Sequence, residues 1–384
     1  MNALKTNINT LDDIKKKAIY KRYFSFFNYT VAIATDSKKI IRVFEVMYSK
    51  FLKDDQPENS LDCYIITGST HNKSSYVILT DKIYPIADSD SIVFFAEALI
   101  FKALFNRVDD CFILHAGVIS RDGKGFIIMG PSSFGKTTLV LELISRGYKF
   151  LSDECCSIRL NDHFIEPYPR SLGIKQDNPF YGAVDLKKKI HHDRENKAMV
   201  ECENIYPDCT GEPCKAYCLI VLKSSLQNSS LKEEEKIFEL TLLHDDRKAV
   251  DTLCSNESIK LLYKSIEANF VLYRFSFAPI SSATKTIQDW CVGHEDNILF
   301  QVVLSNDRPD FNAKPTIKVM SKFDASLEVF KNLVNRSPES RFYTKFKKQN
   351  SLILYKIGEI IGNLDCYEMQ PGVLKETANI IDSL

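Results

Sequence analysis

Gly130-Pro-Ser-Ser-Phe-Gly135-Lys136-Thr137-Thr138 fits the pattern G-x-x-x-x-G-K-[ST], and few stretches of this length constrain a fold as tightly. The pattern needs a strand before it and a helix after it. Phe126-Ile-Ile-Met129 supplies an apolar, strand-like run, and Leu139-Val-Leu-Glu-Leu-Ile144 is compatible with a helix. Gly130 and Gly135 let the backbone curl without a Cβ, so that successive N–H groups and the following helix N-terminus converge on an anion. The expected cradle is Gly130, Ser132, Ser133, Phe134, Gly135, Lys136, Thr137 and Thr138. Lys136 would reach the β- and γ-phosphates of a purine nucleoside triphosphate, ATP or GTP. The Thr137 hydroxyl suits Mg2+, which prefers hard oxygen ligands and keeps several waters.

Composition removes several other classes. Fifty basic and fifty acidic residues cancel among 384, so no global field draws the chain to nucleic acid or an anionic membrane. A local basic run remains at Lys187-Lys188-Lys189 with His191 and His192. The longest apolar stretch, Ile92 to Phe105, carries Glu97 and Lys102 and is too short and too charged to span a bilayer. Eleven scattered cysteines in a chain of this size, with no signal peptide at Met1-Asn-Ala-Leu-Lys, point to reduced thiols in a cytoplasm. Cys202, Cys209, Cys214 and Cys218 cluster in sequence but lack paired C-x-x-C knuckles, so unlinked thiols are expected there rather than a zinc ribbon.

Along the chain, the polar, lysine-rich start up to Tyr20 is expected to fray. Short β-favouring runs at Tyr29–Ile33, Asp62–Ile66 and Ser75–Leu79, with a helix over Ile40–Phe51, suggest a small α+β domain over residues 1–104. Asp88-Ser-Asp-Ser91 reads as the N-cap region of a helix from Ile92 to Phe105. Phe112-Ile-Leu114 is a buried strand ending at His115-Ala-Gly117, and Asp122-Gly123 marks a hairpin ahead of the loop strand. After the loop helix, Arg146-Gly147 gives a stop signal and Tyr148-Lys-Phe-Leu-Ser runs into two carboxylates, Asp153 and Glu154. Acids at the carboxyl end of a strand beside a phosphate loop suit a metal and a base.

Further on, the polar stretch from Ile190 to Pro213 reads as a loop. Tyr217–Leu222 and Ile237–Leu243 read as two sheet strands around a polar turn, and Asn256–Phe270 as a helix. Ile298–Leu304 and Pro315–Val319 read as strands, and Leu327–Val334 and Ser351–Leu364 as helices of the C-terminal part.

The run from His115-Ala-Gly through Gly130-Pro-Ser-Ser-Phe-Gly-Lys-Thr-Thr to Arg146-Gly-Tyr-Lys-Phe-Leu-Ser-Asp153-Glu154 resembles the HPr serine kinase/phosphorylase family. The likeness is specific from Phe112 to Lys175, and Pro213–Lys223 and the tail Cys366-Tyr-Glu-Met-Gln-Pro-Gly look like its divergent members. The resemblance implies an α/β fold with a carboxykinase-like P-loop kinase core and a mixed sheet over residues 105–384, with a helical C-terminal part. It implies that Lys136 and Thr137 hold phosphate and metal and that Asp153 takes the acceptor hydroxyl's proton. It puts Glu154 near the metal with Thr137 and Asp153, and His115 beside the transferring phosphate. Arg170-Ser-Leu-Gly173-Ile174 resembles the family's second signature, Arg-Gly-Leu-Gly-Ile, which places Arg170 near the active site. Two departures weaken the case for HPr itself as substrate and for reverse phosphorolysis. Tyr168 stands where the family has glutamate, with Glu166 the nearest replacement, and Phe180–Asp185 matches the following glycine-rich segment only loosely.

These readings converge on a phosphotransferase moving the γ-phosphoryl group of ATP or GTP, with Mg2+, to a hydroxyl on a peptide, protein or small molecule, most plausibly a serine. The alternatives are a nucleotide-sensing regulatory protein without turnover, and an ATPase or GTPase using water. Homo-oligomerisation, the acceptor and the base preference stay open at this level.

Overall fold

The computed structural model describes residues 8–55, 60–68, 75–86, 91–183, 197–226, 236–266, 270–278, 281–304 and 308–384. The basic run at Lys187–Lys189, His191 and His192, most of the N-cap reading at Asp88–Ser91, and residues 190–196 of the loop reading lie outside them. The described remainder of that stretch is not all loop, for it holds the strand Ala198–Val200 and a 3-10 turn at Cys202–Asn204. No helix among the described residues is long and apolar enough to cross a membrane.

By internal contacts the chain forms two compact units, Met1–Leu104 with Lys232–Asn306, and Phe105–Leu231 with Asp307–Leu384. The expectation of a single domain over residues 105–384 therefore meets a discontinuous arrangement. Residues 232–306 group with the N-terminal segment, for reasons visible in their own fold. They build a four-stranded antiparallel sheet with helices Arg247–Cys254 and Ser281–Gly293. Phe238, Leu240, Tyr273, Phe275 and Trp290 fill a core of its own. Lys102, on the helix Ile92–Phe105, donates to the carbonyls of Glu295 (2.5 Å) and Ile298 (2.8 Å). The remainder of this unit is a six-stranded mixed sheet that includes Tyr29–Thr35, Ser60–Ile66 and Ser75–Leu79, with the helices Ile92–Phe105, Lys38–Met47 and Ile8–Lys15, the last within the start expected to fray.

Another element that differs in kind from its expectation lies in this unit. Ile259, Leu262, Tyr263 and Ile266 repeat at helical spacing, yet Ile259–Ile266 is an edge strand. Its partner, Val271–Phe277, pairs with it antiparallel throughout, around an irregularity between Leu261 and Tyr263. That bulge breaks the two-residue alternation by which a strand announces itself.

The second unit carries the phosphate loop. Its nine-stranded sheet runs in the order Lys149–Ser152, Gly117–Arg121, Lys124–Met129, Cys214–Leu222, Phe164–Glu166, Cys156–Arg159, Cys111–Leu114. Asp365–Gln370 pairs parallel with the second half of Cys214–Leu222, and Thr316–Val319 pairs antiparallel with Asp365–Gln370. The sheet is mixed, as expected, because the loop strand also runs parallel to Cys214–Leu222 while the other pairings are antiparallel. Tyr217–Leu222 and Ile237–Leu243 are thus strands, but they belong to different sheets and do not form a hairpin. The hairpin predicted at Asp122-Gly123 is present, both residues at positive φ (53° and 75°), as a tight two-residue turn requires.

Alternation along the loop strand sorts the core into two layers. Ile127 and Met129 face a cluster with Ile353, Ile357 and Val329 from helices Asn350–Gly362 and Lys322–Lys331. Phe126 and Ile128 face Leu139, Leu143 and Ile381, on the loop helix Lys136–Ser145 and the final helix Leu374–Asp382. A strand buried on both faces is apolar at every position, which is why Phe126–Met129 reads as a continuous run.

Two short links decide where the site lies. Only His115 and Ala116 join the edge strand Cys111–Leu114 to Gly117–Arg121, which stands five pairings away in the sheet. Laid flat, five pairings would separate these strands by roughly 24 Å, whereas three Cα steps reach at most about 11 Å, so the sheet curls. Asp153, Glu154 and Cys155 cross the same gap from Lys149–Ser152 to Cys156–Arg159. Leu114 faces Cys156 on one side, and Val118 faces Ser152 on the other. The links 115–117 and 153–155 therefore pass each other in continued antiparallel register.

Candidate functional site

That crossing puts Asp153 opposite Gly117 and next to the loop helix. A Cβ on Gly117 would lie 2.9 Å from Val140 Cγ2 and 3.9 Å from Asp153 Oδ1, so the bare backbone is what lets helix and carboxylate approach together. Ser152 turns the acids outward, its Oγ accepting from the N–H groups of Glu154 (3.3 Å) and Cys155 (2.9 Å). The backbone of His115 is held by the carbonyl of Asn332 at 3.3 Å.

The phosphate loop closes over a left-handed pair, Ser133 (φ 66°) and Gly135 (φ 82°), and Gly135 opens the helix with no side chain capping its first N–H groups. The Phe134 side chain is buried in the core, so this residue can offer a ligand only its backbone. Ser132 and Ser133 are exposed. Lys136 folds back to donate to the carbonyls of Gly130 (2.8 Å) and Pro131 (3.0 Å). Thr138 accepts from the Asn178 amide at 2.9 Å.

The central contact is a hydrogen bond of 2.8 Å from Thr137 Oγ1 to Asp153 Oδ2. With its proton directed at the carboxylate, the Thr137 oxygen keeps its lone pairs for another partner. Asp153 Oδ1 is buried and, among the described residues, has no hydrogen-bond partner. Such an orphaned acceptor is costly unless something else fills its place. Arg170 Nη1 donates to Glu154 Oε2 at 3.0 Å. Glu166 is instead paired with Arg159 at 2.6 Å, and Tyr168 is buried, so neither supplies the carboxylate that the related signature has there.

Environment drives the two adjacent acids apart. Burial, then the neighbouring charge of Glu154, raises Asp153 to about 6, against the opposing pull of Thr137, Lys136 and Arg170. Arg170 is the main reason Glu154 moves down, below the usual carboxylate range. Burial and Lys136 lower His115, which stays neutral near pH 7. His115 and Glu154 touch solvent and are nonetheless surrounded by protein, as side chains lining a cleft are.

The structure thus brings His115, Lys136, Thr137, Asp153, Glu154 and Arg170 into one neighbourhood. It adds three residues that sequence alone did not single out. Ser152 is legible in hindsight as a serine before a turn. Asn178 follows the Arg170 signature and reaches the loop only through tertiary folding. The charge of Lys197 acts on both His115 and Glu154. The four clustered cysteines do not converge on one point, for Cys202, Cys209 and Cys218 join one core layer and Cys214 the other.

No family model matches the chain. The chain is similar to the HPr kinase/phosphorylase of Thermoanaerobacter sp. (strain X514), 22% identical over 208 residues, covering 48% of this chain and 67% of that protein. It is 24% identical over 217 residues to the enzyme of the same name from Chlorobium chlorochromatii, covering 47% of this chain and 62% of that protein. A solved HPr(Ser) kinase/phosphatase from Coxiella burnetii is 14% identical, with a TM-score of 0.21, covering 48% of this chain and 95% of that one. The likeness that can be recognised is to HPr kinase/phosphorylase, and over about half its length the chain stands to that family as a divergent, HPr-kinase-like relative.

Proposed function

We propose that the chain is a phosphotransferase moving the γ-phosphoryl group of ATP, or GTP, to a hydroxyl acceptor, a serine in a peptide or protein or the hydroxyl of a small molecule. The observation that carries this reading is the Thr137–Asp153 contact at the mouth of a phosphate loop, with Asp153 raised to about 6. A carboxylate so poised is mostly ionised at neutral pH yet basic enough to take a proton from an acceptor hydroxyl. Glu154, held ionised by Arg170, supplies the neighbouring charge that keeps Asp153 there, an arrangement by which two like groups take two roles. Lys136, resting on two loop carbonyls, is pre-positioned to exchange them for phosphate oxygens, which bind an ammonium more strongly. His115, neutral beside Lys136, can donate a hydrogen bond without adding charge.

The residues fit a magnesium ion. The Thr137 hydroxyl has lone pairs to give and Asp153 Oδ1 is unpartnered among the described residues. Magnesium takes few protein ligands beside water and phosphate oxygens, so a hydroxyl and a carboxylate suffice. Bound there, Mg2+ would offset phosphate charge. A reducing cytoplasm accords with eleven cysteines that are all free thiols.

The test is ADP formation by the purified chain with Mg-ATP or Mg-GTP, with and without serine peptides and hydroxylated small molecules. Acceptor-dependent turnover is expected, and Asp153→Asn should lower kcat by about 10²–10⁴-fold while affinity for the magnesium-free nucleotide is retained. Acceptor-independent phosphate release would establish a hydrolase instead, and nucleotide binding without turnover a sensor.

A further inference from the structure

Lys197 opens the short strand Ala198–Val200, which pairs antiparallel with Leu172–Ile174, Ile174 facing Ala198 and Gly173 facing Met199. By register Lys197 stands at the end of this hairpin remote from Arg170, which precedes the strand Leu172–Ile174. Its stem nevertheless runs back over Gly173. A Cβ placed on Gly173 would meet Lys197 Cδ at 3.0 Å and Cβ at 3.7 Å, so the side chain lies along the glycine and its far end is the nearer. Beyond that crossing, its charge is felt at His115 and Glu154, the two residues that line the solvent-open side of the site.

The site's charges explain why a third cation matters. Asp153 and Glu154 cancel Lys136 and Arg170, and Arg170 is already engaged by Glu154 at 3.0 Å. His115 is neutral. The other charged side chains named around the acids therefore balance one another, and the terminal phosphoryl group adds negative charge.

We propose that Lys197 is a phosphate-binding residue of this site, laid across side-chain-free Gly173 so that its ammonium meets the terminal phosphoryl group of the nucleotide beside His115 and Glu154. The inference rests on the phosphotransferase reading. It assigns the glycine of Arg170-Ser-Leu-Gly173-Ile174 a task, which is to give the lysine stem its path.

Calorimetry with Mg-ADP and with the magnesium complex of a non-hydrolysable β,γ-imido ATP analogue separates the terminal phosphate from the rest of the nucleotide, and the guanine pair serves equally if the chain prefers it. Lys197→Met should weaken analogue binding by about 10- to 100-fold and leave ADP binding within about threefold, because only the former presents a third phosphate. Lys197→Arg should recover most of the loss. Gly173→Ala, which displaces the stem without removing the charge, should weaken the analogue selectively and by less. If wild type binds both nucleotides and Lys197→Met binds the analogue as tightly as wild type, the inference is wrong. Equal weakening of both nucleotides, with a lowered melting temperature, would show a structural role and also overturn it. A wild-type chain binding no adenine or guanine nucleotide would instead remove the phosphotransferase reading on which the inference stands.

Discussion

Asp153 and Glu154 are neighbours in sequence with the same chemistry, and their surroundings give them opposite tendencies. One oxygen of Asp153 accepts from Thr137 and the other is buried without a partner among the described residues, while Glu154 leans on Arg170 with 48% of its side chain exposed. The sign of the resulting pH dependence follows directly. A base works when ionised, so the acid limb of kcat/KM should rise as pH climbs through about 6, the value to which burial and Glu154 lift Asp153. Glu154→Gln deletes a charge that raises Asp153 and frees Arg170, which lowers it, so both changes act in one direction. The acid limb of this variant should move to lower pH, by on the order of one unit for a contact between neighbouring charges. Rate profiles from pH 4.5 to 8 would show it, and a limb that stays put or moves upward would mean that Asp153 is not the group being titrated.

At the scale of elements, the site is made by two links that cross a curled sheet side by side, and a single serine sets the outward turn of one of them. Ser152→Ala removes the acceptor for one buried and one part-buried N–H group, which costs about 1–3 kcal/mol in stability and loosens the acids without touching the phosphate loop. Turnover should fall by about tenfold with nucleotide affinity unchanged, and denaturant titration beside calorimetry checks both halves of that statement. What could be read beforehand divides along the same line. The loop strand, the loop helix, the Asp122-Gly123 turn, the helix Ile92–Phe105 and the acid pair are written in local pattern, since each depends on residues within a turn or two. The choice of strand partners is not local. Cys366-Tyr-Glu-Met-Gln reads as part of a tail, and it is all but the first residue of a strand lying parallel to Cys214–Leu222. Ile259–Ile266 has the spacing of a helix and is a strand because Val271–Phe277 is there to pair with it. Lys197 carries no local signal for the same reason, its approach to His115 and Glu154 depending on a hairpin whose two strands are more than twenty residues apart.

At the scale of the whole molecule, the residues of the candidate site all belong to the unit Phe105–Leu231 with Asp307–Leu384, and the intervening segment belongs to the other. The break in this unit closes over a short distance. Leu226 donates its N–H to the Gln370 side chain at 3.4 Å, and Thr316 pairs with the same residue from across the sheet. Both ends of the excursion therefore return to one point on the strand Asp365–Gln370. A flexible linker of about eight Gly and Ser residues has a root-mean-square reach of about 15 Å, enough to rejoin the chain there. A variant of residues 105–384 in which 232–306 are replaced by such a linker should fold cooperatively and bind nucleotide within about threefold of the full chain, because its core layers and its phosphate loop are intact. The plain truncation 105–384 keeps residues 232–306 but removes the helix whose Lys102 holds Glu295 and Ile298, so it should express less soluble protein than the linker variant. Solubility, the cooperativity of thermal melting and calorimetric affinity distinguish the two. If the truncation is the better behaved and the linker variant fails to bind nucleotide, the excursion is part of the nucleotide-binding unit after all, and the boundary read from the sequence, at residue 105 with nothing excised, describes the molecule better than its contacts do.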